Sequence, residues 1–369
     1  MKLLFLLAFL LLSAPATAAP LFSVTAINLD GVSGINDKGQ IVGIVNTDKK
    51  HQAQAGKYTD FQDVALWQAG KITIVGSLAG KPDCTPTAIN NRGEVVGSGD
   101  QPLHFPGDGG WSDIKLFRWR KGRFSRLSDS GEVLGLNTWG QAVGFRVWPD
   151  GEYGFVAWHG KTREIRNPLT KDFCQVTSIN DSGIMVGVIW THFGSPKWIG
   201  SAHERHFAYL WPLTGKPYCI ETVPHVVFSE ALGINNAGEV IGYLHFKDDW
   251  FPGQQGQHTQ YNDHAFVWKQ GKTTLLDRNQ PDVFDTRPVA INAAGETIGS
   301  ADFLVKNAAT HLGHPFLYRN GALSDLNSLI PPNSGWELQT VSGLNNHCQI
   351  IGSGTCHGKP RLFLLTPKV

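Results

Sequence analysis

Short aliphatic blocks alternate with polar turns along almost the whole chain, and the blocks repeat. In each unit, aliphatic residues precede an Asn, two variable residues and usually a Gly follow it, and an aliphatic pair and a second Gly complete it. Seven copies occur at a mean spacing of about 51 residues, and a period of this length is typical of four-stranded propeller blades rather than of helical repeats. The Asn positions are Asn36, Asn90, Asn137, Asn180, Asn235, Asn292 and Asn345.

Each copy predicts a β-hairpin. The aliphatic residues before the Asn form one strand, and those after the Gly form the next. Asn tolerates unusual backbone angles and Gly adopts positive φ without a steric penalty, so Asn-x-x-Gly is typical of a tight turn. The last copy has Cys348 in place of the first Gly, and we expect a strained or differently shaped turn there.

A second aliphatic and aromatic block follows each hairpin after a gap of variable length. Ala208–Trp211 and Ala265–Trp268 are two examples. A short turn, which contains Gly in most copies, leads to a further strand such as Thr273–Leu276. Each repeat therefore predicts four antiparallel strands, and the seven repeats predict an all-β, seven-bladed β-propeller.

The two ends of the repeat region predict how the ring closes. The last repeat stops after its third strand, Leu362–Leu365, while a spare strand, Phe22–Leu29, precedes the first Asn motif. We expect this N-terminal strand to join the last blade as its fourth strand. Closure of this kind removes exposed sheet edges.

The two motifs together resemble those of a known family. Hairpins of the type Ala-Ile-Asn-x-x-Gly-x-Val-Val-Gly, followed by the sequence His-Ala-Phe-Val-Trp at residues 264–268, resemble the bacterial extracellular HAF repeat family. His314 and Phe316 match two of the three eponymous residues in the next copy, and the resemblance covers about Phe22 to Leu365. It implies an exported, propeller-like protein. It implies no catalytic residues, because the motif of the family is structural.

The N-terminus predicts a cleaved signal peptide over residues 1–18. Lys2 supplies the positive charge, Leu3 to Leu12 is an uninterrupted apolar run, and small residues at 16–18 suit a signal peptidase. The apolar run is shorter than the about 20 residues that a spanning helix needs. Residues 19–369 are then a single propeller domain, located in the periplasm or outside the cell and without membrane insertion.

The charge balance limits the classes of partner, and the cysteine count limits the number of disulfides. The chain has 32 basic and 31 acidic residues, so it lacks the excess of Lys and Arg that binds nucleic acid. Its 5 Cys residues leave at least one without a partner in the chain. We expect at most one disulfide, and Cys174 with Cys219 is one pairing compatible with the blade geometry.

The strand order places two kinds of connection on opposite faces of the ring. The tight turns between the first and second strands and between the third and fourth strands share one face, here called the turn face. The longer second-to-third connections and the links between blades share the other, the loop face. Long loops on a rigid scaffold are the usual place for binding. The loop connections predicted from the sequence are Ile44–Gln62, Ser98–Ile114, Val188–His206, Tyr243–Asp263 and Ser300–Gly313.

Aromatic residues are concentrated in these loop-face connections. The chain has 12 Trp; five lie in third strands, where packing between blades is the first interpretation. Exposed aromatic rings beside polar groups are suited to stacking on sugars, although these rings could equally pack the loops onto the propeller. The candidate ligand-binding residues are Trp111, Trp148, Trp190, Trp198, Trp250 and Tyr261.

Histidines on the same face are weak candidates for a divalent metal site, and no cofactor is predicted. The candidates are His203, His206, His264, His311 and His314. Imidazoles and carboxylates in neighbouring blades could converge on zinc or a similar ion. Spacing on a loop specifies no coordination geometry, and His264 and His314 share a repeat position, so a polar residue at the start of a strand is the first interpretation.

The sequence favours a binding protein over an enzyme, without deciding between them. It contains no nucleophile motif of the Gly-x-Ser-x-Gly type and no phosphate-binding loop. The favoured function is an exported propeller that binds an extracellular ligand, with carbohydrate as the favoured class, through aromatic loop-face residues. One alternative is a hydrolase or lyase that uses histidines and carboxylates on that face. The other is a scaffold for a protein partner without a small ligand.

Overall fold

The computed structural model of the protein describes most of the repeat region. The described residues are 21–46, 62–78, 83–100, 114–148, 151–169, 173–192, 204–220, 223–224, 226–246, 263–278, 280–305 and 310–368. The predicted signal peptide lies outside these residues.

Seven four-stranded antiparallel blades form a ring, which confirms the predicted seven-bladed β-propeller. The strand β1 (Phe22–Ile27) precedes the first blade. The first two blades contain β2 (Gly31–Ile35), β3 (Ile41–Asn46), β4 (Gln62–Gln68) and β5 (Lys71–Gly76) in blade 1, and β6 (Asp83–Ile89), β7 (Val95–Asp100), β8 (Lys115–Arg120) and β9 (Arg123–Ser128) in blade 2. The next two contain β10 (Glu132–Leu136), β11 (Ala142–Trp148), β12 (Gly151–Trp158) and β13 (Lys161–Ile165) in blade 3, and β14 (Cys174–Ile179), β15 (Met185–His192), β16 (Glu204–Trp211) and β17 (Tyr218–Cys219) in blade 4. The last three contain β18 (Val226–Ile234), β19 (Val240–Phe246), β20 (Asp263–Lys269) and β21 (Lys272–Leu275) in blade 5, β22 (Val283–Ile291), β23 (Thr297–Val305), β24 (Thr310–Arg319) and β25 (Ala322–Asp325) in blade 6, and β26 (Trp336–Leu344), β27 (Ile350–Cys356) and β28 (Lys359–Pro367) in blade 7. A short 3-10 helix, Leu326–Leu329, follows β25.

The N-terminal strand closes the ring as the sequence predicts. β1 pairs with β28 in antiparallel register from Phe22 opposite Pro367 to Ile27 opposite Leu362. Phe22 is fully buried in the core shared by blades 6 and 7, together with Leu338 and Phe363. The last blade therefore combines strands from both ends of the repeat region, and burial of Phe22 fastens the seam.

Apolar side chains pack mainly between neighbouring blades, and a Phe of the third strand is central to this packing in five of the seven blades. Phe117, Phe155, Phe266 and Phe316 are among the largest fully buried side chains. The cluster between blades 4 and 5, for example, joins Phe266 to residues on both sheets. Packing on both faces of a blade requires apolar residues at successive positions, because neighbouring residues of a strand point to opposite faces of the sheet.

The second Gly of each repeat permits a close approach of the first two strands. The register between β18 and β19 shifts between Ala231 and Gly233, as at a β-bulge. A Cβ added at Gly242 would collide with the carbonyl oxygen of Glu230 and lie 2.8 Å from ring carbons of Phe266. Phe266 sits opposite Gly242 in the register, so the Phe of the third strand covers a position where no side chain fits.

The seven Asn turns share one geometry, including the copy with Cys348. In each, the N–H of the fourth residue donates to the Asn carbonyl oxygen, as from Gly39 to Asn36 and from Cys348 to Asn345. The positive φ falls on that fourth residue, at 69° for Gly39 and 54° for Cys348. Cys348 thus carries the expected strain in an unchanged turn, because a side chain in the left-handed region is disfavoured. All seven Asn residues are described, and none of them has positive φ.

Two predicted loop connections are shorter than expected. β23 and β24 remain paired as far as Val305 opposite Thr310, so most of the predicted loop Ser300–Gly313 is a long hairpin. β15 and β16 likewise extend to His192 and Glu204. The loop assignment was wrong for these segments because cross-strand pairing continued beyond the repeat motif, through residues 188–190 and 303–305 among others. How far such pairing continues depends on the partner strand.

The third-strand Trp residues follow the packing interpretation with one exception. Trp67, Trp211 and Trp268 are buried and Trp119 is half-buried, whereas Trp158 is 46% exposed. No disulfide joins any of the five cysteines, all of which are described, and the predicted pair Cys174 and Cys219 is not bonded. The buried Cys174 thiol donates to the Ile165 carbonyl oxygen at 3.1 Å, and burial raises its pKa to about 11. Over the described ranges, no helix is long and apolar enough to cross a membrane.

Candidate functional site

A closed ring of hydrogen bonds surrounds the central channel on the turn face. The side-chain amide of each motif Asn donates to the backbone carbonyl oxygen of the motif Asn in the next blade, at 3.0–3.3 Å. The bond from Asn345 to the carbonyl of Asn36, at 3.0 Å, completes the circle. All seven side chains are buried, so these bonds are formed away from water.

Six of the seven Asn side chains in this inner ring use their full hydrogen-bonding capacity, and Asn180 lacks one of the four bonds. In Asn235, Oδ1 accepts from the N–H groups of Ala237 and Glu239, while Nδ2 donates to the Asn292 carbonyl and to the Glu239 carboxylate. In six copies, a Gln or Glu at the position of Glu239 accepts this bond from the motif Asn. In the fourth copy, Ile184 occupies the position. Sequence reasoning assigned the Asn to turn formation and missed this partner, although Gln or Glu recurs at the same position of the repeat.

A second, outer ring is formed by the residue after each Asn. At five of the seven junctions between blades, its backbone N–H donates to a side-chain oxygen of the matching residue in the next blade, as from Thr138 to Asp181 at 2.8 Å. The two exceptions are the N–H groups of Asn91 and Asn236, which precede Thr138 and Ala293 around the ring. Neither of these two N–H groups donates to an acceptor among the described residues.

The two rings enclose a cavity of about 200 Å³ at the mouth of the channel. Its walls are the residue before each motif Asn, which is Ile or Leu, the Asn itself and the outer-ring residue. Asp37 and Asp181 are the only ionisable side chains among the residues that line it. Its polar surface therefore consists of backbone groups, amides and two carboxylates, and its apolar surface consists of the Ile and Leu side chains.

Asp37 is held as a carboxylate in the outer ring. Burial opposes the ionised form, but the Asn346 N–H and the side-chain amides of Asn91 and Asn346 all donate to Asp37. These hydrogen bonds, with a smaller contribution from His347, lower the pKa of Asp37 below its ordinary value. The carboxylate joins blades 2 and 7 to blade 1, so it strengthens the seam of the ring.

The predicted ligand-binding residues on the loop face are described only in part. Trp111, Trp198, Trp250 and Tyr261 lie outside the described residues. Trp148 ends β11 and is 48% exposed, as a binding residue should be. Trp190 is a strand residue of β15, half-buried, with its ring 5.1 Å from that of His206.

Around Trp190, the loop-face ends of blades 4 to 6 carry a continuous cluster of aromatic and charged side chains. We call this set, His206, Phe228, Glu230, Tyr243, His245, Asp263 and Arg287, the loop-face cluster. His206 Nδ1 lies 3.5 Å from Glu230 Oε1. Phe228 stacks on His245 with ring centroids 4.3 Å apart and nearly parallel planes. His245 Nδ1 is in turn 3.0 Å from Asp263 Oδ1.

Arg287 is the exposed member of the loop-face cluster. Its guanidinium forms an ion pair with the buried Asp263 and lies 4.7 Å from the centre of the Tyr243 ring. Burial lowers the pKa of Arg287, but Asp263 and the other acidic groups outweigh burial and raise it. Burial, together with Glu230, raises the pKa of Tyr243 well above its ordinary range. The phenol therefore stays protonated and acts as a hydrogen-bond donor to Glu230.

The histidines proposed as metal ligands contact separate carboxylates. His206 faces Glu230, His264 lies 2.7 Å from Asp277, and His314 lies 2.7 Å from Asp325. His203 and the side chain of His311 lie outside the described residues. Within the described ranges, no three His, Cys, Asp or Glu side chains converge on a point that could hold a metal. A metal at the five histidines stays a prediction.

The repeat position of His264 and His314 has a structural role in three blades. In each, the first residue of the HAF position pairs with an acidic residue that ends or follows the fourth strand: His264 with Asp277, His314 with Asp325, and Lys115 with Asp129 at 3.4 Å. Thr286 extends the pair in blade 5 by donating to Asp277 at 2.8 Å. These contacts tie the third strand to the end of the fourth, in line with the interpretation as a polar strand start.

Comparisons with solved structures support the architecture. The β-propeller domain of the Trilobed protease from Pyrococcus furiosus, which has an open velcro topology, aligns with a TM-score of 0.57 at 10% identity, covering 93% of this chain and 96% of that one. An acylaminoacyl peptidase in complex with Z-Gly-Gly-Phe-chloromethyl ketone aligns with a TM-score of 0.51 at 10% identity, covering 88% of this chain and 48% of that one. No protein-family model and no curated protein sequence matches. At these identities the likeness concerns the fold alone, and the chain is a seven-bladed β-propeller closed by its N-terminal strand.

Proposed function

We propose that the protein is exported and binds an extracellular ligand, with carbohydrate as the favoured class, on the loop face of blades 4 to 6. The observation that carries the proposal is the loop-face cluster. It combines an exposed cation, buried and half-buried aromatic rings, one buried carboxylate and one half-buried carboxylate across three blades. The signal-like N-terminus and the resemblance to HAF repeats support export.

The chemistry of the cluster suits a polyhydroxylated ligand. Aromatic side chains offer apolar faces to sugar rings, and a few fixed polar groups orient the hydroxyls. Arg287 is held in place by Asp263 on one side and by the Tyr243 ring on the other, so its remaining N–H donors are preorganised. Trp148 supplies a further exposed ring on the same face, in blade 3.

Binding fits the described cluster better than hydrolysis does. Nucleophilic catalysis by Tyr243 would require a phenolate, and its raised pKa opposes ionisation. His245 and Asp263 are buried against each other, which leaves little room for a substrate between them. A hydrolase or lyase, and a protein-interaction scaffold, are the two alternatives to sugar binding.

A glycan array with purified residues 19–369 tests the proposal, using Arg287→Ala beside Arg163→Ala, a matched variant of an exposed arginine on the outer strand of blade 3. Binding to a defined glycan that Arg287→Ala weakens at least tenfold, while Arg163→Ala retains it, supports the loop-face site. An array without any binding contradicts the carbohydrate ligand. Cleaved glycans detected by mass spectrometry in the same wells would instead favour the hydrolase or lyase.

A further inference from the structure

We propose a second binding site, on the opposite face, in which the mouth of the central channel takes a single neutral sugar ring. The site consists of the cavity inside the two Asn rings and of Trp139 at its edge. It shares no residue with the loop-face cluster and does not depend on the function proposed there.

The size of the cavity limits the ligand. Its volume of about 200 Å³ is smaller than the roughly 300–1,000 Å³ of pockets for drug-sized molecules. One hexose ring is a better match than an oligosaccharide or a folded peptide. The Ile or Leu that precedes each motif Asn adds apolar surface to the same lining.

Two backbone donors are left for a ligand in the outer ring. Five of its seven N–H groups are satisfied by the neighbouring blade, whereas those of Asn91 and Asn236 meet no acceptor within the described chain. Ligand hydroxyl oxygens can accept from these two groups. Asp181 already accepts from Thr138 and Asn236, and its remaining lone pairs can accept from a ligand hydroxyl.

Trp139 provides a stacking surface beside the cavity. It is 52% exposed, and it is the one Trp placed by the sequence in a tight turn. Its indole N–H donates to the Asp181 carbonyl oxygen at 3.0 Å, and Arg92 lies 5.1 Å from its ring. These two contacts hold the indole next to Thr138 and Asp181, both of which line the cavity. An ordered, exposed Trp of this kind loses little conformational entropy when a ring stacks on it.

The charge of the lining selects a neutral ligand. An anion would face the carboxylates of Asp37 and Asp181 without a cation among the lining residues. A metal ion would meet only two carboxylates among the lining residues, and both already accept hydrogen bonds from amide donors. A sugar ring both donates and accepts through its hydroxyls, so it suits a lining that offers both N–H donors and carboxylate acceptors.

Saturation-transfer NMR with the methyl glycosides of glucose, galactose, mannose and N-acetylglucosamine tests the site. We expect at least one of them to bind the native protein, Trp139→Ala to weaken it at least fivefold, and Trp158→Ala, a similarly exposed Trp in the same blade, to leave it unchanged. Arg287→Ala on the loop face should also leave it unchanged. Loss in Arg287→Ala but not in Trp139→Ala would assign the binding to the loop face and overturn the second site.

A variant that adds a hydrogen bond to the outer ring provides an independent test. Ala293→Asn places an acceptor at the junction where Asn236 N–H has none, as the equivalent side chains do at five other junctions. We expect a raised melting temperature and sugar binding weakened at least threefold, because the new side chain competes with the ligand. Unaltered binding in a more stable Ala293→Asn protein, or no transfer to any of the four glycosides in the native protein, would refute the proposal.

Discussion

At the scale of single residues, the motif Asn explains both the turn and the ring. Asn, like the longer Gln, can supply two donors and two acceptors from one planar amide group. In Asn235 these four bonds reach two N–H groups of its own turn, the Glu239 carboxylate and the next blade. Asp matches the shape but has no donor, and Ser is too short to reach two partners. The residue therefore joins local and long-range structure in one group.

The first prediction concerns the inner ring. Asn235→Ala should lower the free energy of unfolding by about 2–4 kcal/mol, because buried partners lose their hydrogen bonds. Asn236→Ala, the exposed neighbour in the outer ring, should cost about 1 kcal/mol or less. Denaturant unfolding of both variants measures the difference. Equal losses would mean that the inner ring adds nothing beyond ordinary turn contacts.

At the scale of the strands, the repeat motif describes a bulged strand pair covered by an aromatic ring. The Gly of the second strand accommodates the first strand, and the Phe of the third strand covers that Gly. The His of the same HAF segment ties the third strand to the end of the fourth in blades 5 and 6. Each residue of the motif thus stabilises a contact between adjacent strands, which explains why the motif recurs without marking a catalytic site.

The second prediction tests this arrangement with two glycines of blade 5. Gly242→Ala should destabilise the protein by more than about 3 kcal/mol, since the added methyl group would meet backbone and the Phe266 ring. Gly238→Ala, in the Asn turn at φ 76° and with open space around its Cα, should cost about 1–2 kcal/mol from backbone strain alone. Thermal melts followed by circular dichroism would separate the two. A similar loss for both would argue against the close strand contact.

At the scale of the whole molecule, three features fasten one seam between blade 7 and its neighbours. β1 completes the sheet of blade 7. Asn345 donates to the Asn36 carbonyl, and Asn346 binds Asp37 through both its backbone and its side-chain N–H groups. When the ring is closed in this way, every blade contacts a neighbour on both sides. Opening the ring at one junction therefore has to break several contacts together.

The third prediction concerns this seam. Phe22→Ala should cost about 3–5 kcal/mol, because the fully buried ring fills the core between blades 6 and 7. It should also increase self-association on heating, because release of β1 exposes the edge of β28. Ser23→Ala, an exposed change in the same strand, is the control and should behave as the native protein. Light scattering during a thermal ramp measures both effects, and a Phe22→Ala protein that melts like the control would contradict the role of the seam.

The amino-acid sequence by itself determined the architecture, and the tertiary structure decided the sites. Strand length, turn chemistry and the count of repeats are local properties, so seven blades, four strands in each and closure by the N-terminal strand could all be predicted from the chain. The roles of Asn235 and Arg287 depend on neighbours in other blades, since Asn235 bonds to Asn292 and Arg287 contacts Asp263 and Tyr243, and no local pattern encodes such contacts. The cavity on the turn face is an extreme case, because seven copies of one short turn line it and none of them forms a pocket alone.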